Sequence, residues 1–200
     1  MRAARWTIVL FFGPLLAAAA EPPAPETLEP GLAVRQEVVF YPVTGRTTKD
    51  LRSQIAASGP REHPHGRRYA AATEYRITWK FSYARGPAGC SVASASVALA
   101  LRQVYPSWTP PADAPKRHQR RWKKFSAALR VHEAGHGETA LDGARSVLRT
   151  ITHAPPAASC RELAASTKTA CRSIVRETTA RLREDDIRTG HGRTQGAFLP

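Results

Sequence analysis

The sequence has few cysteines, few acidic residues and no long apolar run, and each shortage removes a class of protein. Its three cysteines, Cys90, Cys160 and Cys171, allow at most one internal bridge. No two of them have the close spacing of thiolate-ligated zinc sites, which excludes such a centre. If 160–186 is one helix, Cys160 and Cys171 are ~16 Å apart, whereas a bridge needs Cα atoms within ~7 Å. The expected bridge is Cys90 with Cys160, with Cys171 buried. The apolar run "WTIVLFFGPLL" is shorter than the ~20 residues of a membrane span and is broken by Gly13-Pro14. With "MRAAR" before it and "AAAAE" after it, residues 1–20 read as a signal peptide cleaved after Ala20. The protein is therefore expected to be secreted or periplasmic, where disulfides persist, with no transmembrane segment after cleavage. Sixteen acidic residues face 30 basic ones, a formal charge of +14. Such a balance suits anionic partners. The basic residues are scattered, however, and the one dense cluster, "KRHQRRWKK" at 116–124, reads as the solvated side of a helix. A secreted chain also has little access to nucleic acid, so no nucleic-acid partner is expected.

No internal repeat is apparent. Residues 21–33, which include "EPPAPETLEPG", read as a disordered tether, leaving 34–200 as one domain with a sizeable core. The first half of that domain reads as sheet. "RQEVVFYPVTG" is a strand, and "TTKDLRSQIAASGP" is a short helix with a threonine cap and a Gly-Pro stop. In "TEYRITWKFSYA" the apolar Tyr75, Ile77, Trp79, Phe81 and Tyr83 alternate with polar residues, the pattern of a strand with one wet face. "RGPAG" turns the chain and "CSVASASVALALRQVYP" returns beside it. His63 and His65 flank Pro64 in an exposed turn and are not expected to bind metal. The second half reads as two long helices, about 116–152 and 160–186, separated by "HAPPAAS".

The chemistry sits in "RVHEAGHGET", residues 130–139. His132-Glu133-Ala134-Gly135-His136 is H-E-x-x-H. One helical turn then stacks two imidazoles that can share one ion. Glu133 lies ~100° around the helix from His132, beside the metal but free to act as a base. With seven His and eleven Glu, random placement gives this pattern in roughly one such chain in eighty. The histidines also extend the apolar stripe of Trp122, Phe125 and Leu129, so the helix carries them inward, where unpartnered imidazoles are costly. A catalytic zinc needs a third protein ligand. His118, ~21 Å along the helix, is out of reach, and so is His153 at the other end. Glu138 points elsewhere. Candidates concentrate in "REDDIRTGHGRTQG", where Asp185, Asp186 and His191 stand.

At these residues the chain resembles a bacterial family of uncharacterised domains described as predicted secreted zinc-dependent proteases. The resemblance covers most of the mature chain. It includes "YRITWKFSY", Cys90, "YPSW", W-x-x-F-x-x-x-L-x-x-H-E-A-G-H from Trp122 to His136, and D-x-x-T-x-H-G from Asp186 to Gly192, then Gly196. Asp185 stands where the family usually has a tyrosine. The resemblance implies a zincin-like α+β fold, with an antiparallel sheet in the first half packed on the two helices of the second. It also implies a Zn2+ peptidase held by His132, His136 and one of Asp186 and His191, with Glu133 as general base. Imidazole suits zinc well, so His191 is the expected third ligand and Asp186 the alternative. The expected substrate is a peptide or protein, possibly of the cell envelope. Two rival readings share the same residues: a non-catalytic envelope-binding module with structural zinc, and an amidase acting on peptidoglycan peptides.

Overall fold

The computed structural model describes residues 23–61, 66–87 and 89–200. The expected signal peptide and the His63/His65 pair lie outside the described residues. Four strands and three helices follow in the order β1 Glu26–Glu29, β2 Leu32–Pro42, α1 Thr48–Ser58, β3 Ala72–Gly86, β4 Gly89–Ser107, α2 Lys116–Thr152 and α3 Cys160–Thr189. A single 3-10 turn, Arg193–Gln195, follows α3.

β3 and β4 form the expected antiparallel hairpin, in register from Ala72 opposite Val104 to Gly86 opposite Gly89. The sheet as a whole is mixed rather than antiparallel. Its order is β1-β2-β4-β3, and β2 runs parallel to β4 over Leu32–Pro42. The crossover explains the difference. α1 and the segment after it carry the chain past one strand position, so the hairpin returns β4 into the place beside β2. The tether expectation is also corrected. Glu26 and Thr27 pair with Val34 and Ala33, so order begins inside 21–33. Gly31, at φ 84°, makes the tight turn that brings β1 back on β2.

One face of the sheet is wet. On it Arg102 pairs with Glu37 at 3.7 Å and Glu74 at 3.3 Å, its cross-strand neighbours. The other face carries Leu32, Ile77, Val97, Leu99 and Leu101 onto Ala140, Ala144, Val147 and Ile151 of α2 and Cys171 of α3. The α2 residues recur at offsets 0, 4, 7 and 11, a single helical stripe. Fully burying one side chain the size of Leu or Ile contributes about 1.5–3 kcal/mol. A second cluster gathers Val43, Leu51, Ala71, Tyr105, Trp108, Phe125, Leu129 and Leu199 around the start of α2. Cys90 and Cys160 are bridged, tying the start of β4 to the start of α3 with Cα atoms 5.0 Å apart, and Cys171 is a buried free thiol. Among the described residues no helix is long and apolar enough to cross a membrane.

Candidate metal centre

α2 places His132, Glu133 and His136 between the two clusters, after Leu129 and before Ala140. The three are only 4%, 4% and 7% exposed. The imidazoles meet edge to face with centroids 4.5 Å apart, and their Nε2 atoms are 3.1 Å apart. The last turn of α3 supplies a carboxylate to the same point. Asp186 Oδ1 lies 3.2 Å from His132 Nε2 and 3.1 Å from His136 Nε2. Gln195 fixes the outer side of His132: its Oε1 is 2.9 Å from Nδ1. An amide oxygen only accepts, so Nδ1 donates and Nε2 is the nitrogen turned inward. A ring nitrogen and a carboxylate oxygen therefore converge, an arrangement suited to sharing a cation, whether a proton or a metal ion.

His132, His136 and Asp185 also offer donor atoms within 4.8 Å of one another. Asp185, however, approaches His132 from the Nδ1 side, at 3.9 Å, and is engaged by Arg188. One oxygen of Asp186, the alternative third ligand, faces both Nε2 atoms. After α3 the chain turns through three left-handed residues, Gly190, His191 and Gly192, at φ 59°, 55° and 76°. This sets His191 beside Asp186, with Nδ1 3.4 Å from Asp186 Oδ1 and the ring 4.3 Å from that of Tyr69. Gly192 cannot be replaced, since a Cβ there would come within 2.9 Å of His132 Cγ.

Two further histidines among the described residues, His118 and His153, serve elsewhere. His118 is buried and accepts the Thr48 N–H at 3.2 Å, joining α2 to α1. His153 is exposed near the end of α2, its Nδ1 2.9 Å from the Arg149 carbonyl. Glu138 is exposed.

Charge at the centre is uneven. Burial opposes ionisation of Asp186, but hydrogen bonds from His132 and His136 outweigh it and hold the carboxyl well below the usual carboxylate range. Burial likewise disfavours a charged His132, yet its bond to Asp186, the nearby Glu133 and Gln195 raise its pKa. Glu133 moves opposite to Asp186. Its burial raises the pKa against the opposing pull of Thr73 and the two histidines. Glu133, the expected general base, is thus a buried carboxyl beside the His132–His136–Asp186 triad.

The triad opens on a cleft of about 250 Å³. Ala70 to Glu74, at the start of β3, form one wall, and Leu129, Leu182, Tyr69 and His191 complete it. β3 lies at the edge of the sheet, and its first residues, Ala72 to Glu74, line this cleft. Gln195, Thr73 and Tyr69 are absent from the motifs. Only their meeting in space identifies them, although Gln195 sits between the glycines of the tail.

A family model described as "Bacterial protein of unknown function (DUF922)" matches residues 38–192, and the chain belongs to that family. The match spans β2 through the turn that carries Gly192, and so includes every member of the triad. No curated protein and no solved structure matches the chain.

Proposed function

We propose that this protein is a secreted or periplasmic zinc-dependent peptidase in which His132, His136 and Asp186 hold the metal and Glu133 is the general base. The observation that carries the reading is the triangle of His132 Nε2, His136 Nε2 and Asp186 Oδ1, with edges of 3.1–3.2 Å. Donors bonded tetrahedrally to one zinc at ~2.0–2.1 Å stand ~3.3 Å apart, so the triangle has the right size. When bound there, zinc would polarise a peptide carbonyl and acidify an attacking water. Glu133 would take the proton of that water and pass it to the leaving amine. His191, at the rim of the cleft, is placed to steady the developing oxyanion. An extended peptide would pair with the free edge of β3. The Cys90–Cys160 bridge supports an oxidising compartment, in keeping with the signal-like residues 1–20.

The test is Glu133→Gln, assayed for bound zinc and for hydrolysis of a mixed peptide library. The expected variant keeps its zinc and loses at least ~100-fold in kcat. Unchanged cleavage would remove Glu133 from the mechanism. Zinc bound by the wild type with no turnover on any peptide would favour the non-catalytic envelope-binding module.

A further inference from the structure

Glu133 is held from two directions by the sheet. Thr73 Oγ1 is 2.7 Å from Glu133 Oε2, and Gln103 Nε2 donates to the Glu133 backbone carbonyl at 2.9 Å. Thr73 and Gln103 are cross-strand partners in the β3–β4 register. Gln103 is itself fixed, because its Oε1 accepts from Gln36 Nε2 at 2.9 Å on the neighbouring β2. The polarity of this chain can be read. An amide nitrogen has two protons, and Gln103 aims one at Glu133 O and the other at Thr73 Oγ1, 3.4 Å away. The Thr73 hydroxyl proton has two acceptors in reach, Glu133 Oε2 at 2.7 Å and the Glu133 carbonyl at 3.2 Å, and the shorter contact is to the carboxylate. A carboxylate can only accept there, so the directions agree along the whole chain. Oε2 is thereby held by Thr73.

We infer that Thr73 is a positioning residue for the reaction: it fixes the rotamer of Glu133 through Oε2, with Gln103 and Gln36 as its support. The inference rests on the reading of Glu133 as the base. Its consequence is geometric. Thr73 belongs to β3, the strand whose edge borders the cleft, so a peptide paired there and the base that serves it are referenced to one rigid strand. Misplacement by about 1 Å can cost on the order of 100-fold in rate, so a single hydroxyl is enough to matter.

Two variants separate this role from simple satisfaction of a buried carboxylate. Thr73→Val keeps the shape and β-branching and removes the hydroxyl. Thr73→Ser keeps the hydroxyl. For Thr73→Val we expect kcat to fall by roughly 10- to 100-fold, with KM and bound zinc unchanged, and for Thr73→Ser a return to near wild-type kcat. A crystal structure of metal-free Thr73→Val provides a readout independent of turnover, in which the Glu133 carboxylate should leave its wild-type position. A kcat for Thr73→Val within about twofold of wild type, or a Glu133 side chain that has not moved, overturns the inference. A wild-type protein that cleaves no peptide overturns the peptidase reading instead, and the position of Glu133 in the metal-free variant then decides the Thr73 inference by itself.

Discussion

The two clusters that flank the histidines are built differently. The one beyond His136 is aliphatic and small. Ala140, Ala144, Val147 and Ile151 of α2 are completely buried against strands and α3, and all of its members lie inside regular elements. The one before His132 is rich in aromatic residues and draws on connecting segments. Val43, Ala71, Trp108, Ala114 and Leu199 stand between or beyond the elements, and Trp108 is held by its Nε1–H to the Gly45 carbonyl at 3.0 Å. The first cluster sets where α2 lies against α3, and so where both histidines lie against Asp186. The second sets the segments that line the cleft and anchors the tail that carries Gln195. Stability and site geometry are therefore drawn from different ends of one helix.

This division can be broken in three ways. The largest effect is expected from reducing Cys90–Cys160, which joins residues 70 apart at the aliphatic end. Loss of that closed loop should remove about 4 kcal/mol, read as a lower urea midpoint for the Cys90→Ala/Cys160→Ala protein. A midpoint unchanged by the double substitution would mean that the aliphatic cluster needs no such tie. Next come matched truncations. Ile151→Ala should cost about 2–5 kcal/mol in unfolding free energy while leaving zinc affinity intact. Leu199→Ala should cost less than Ile151→Ala and weaken zinc binding, because the turn holding Gln195 against His132 loosens. Equal zinc affinities, measured by competition with a chelator, would erase the distinction between the clusters. The smallest effect concerns α1, which brings Leu51 to the aromatic cluster. Asp50 accepts the backbone N–H groups of Arg46 and Thr47, both at 3.0 Å, and these bonds lower its pKa. A depressed folded pKa means a contribution present above the unfolded value of ~3.9 and lost as pH falls through the folded one. The Tm gap between wild type and Asp50→Asn should accordingly be open near about pH 6 and close toward about pH 2. A gap independent of pH would show that the cap is not what ties α1 down.

Much of this was legible in the sequence because it is local. Helical stripes gave α2 and α3 to within a few residues, alternation gave β3, and the threonine cap with the Gly-Pro stop gave α1. The pair His132 and His136 is a local pattern too. What failed depends on chain paths. The parallel pairing of β2 with β4 follows from where a crossover goes, which no periodicity encodes. The strand at Glu26–Glu29 was hidden by a proline-rich composition. Asp186 and His191 are five residues apart, and three successive left-handed residues, one of which is not glycine, bring the two side chains together. Thr73 meets Glu133 across 60 positions of sequence, a contact with no local signature.

The lone thiol has a consequence for assembly. Three cysteines could pair in three ways, yet one pairing exists, with Cys171 sealed in the core. Once α3 has wound, Cys160 and Cys171 stand ~16 Å apart on one rod and cannot meet. Docking of that rod on the sheet buries Cys171, so the folded chain offers Cys90 a single partner.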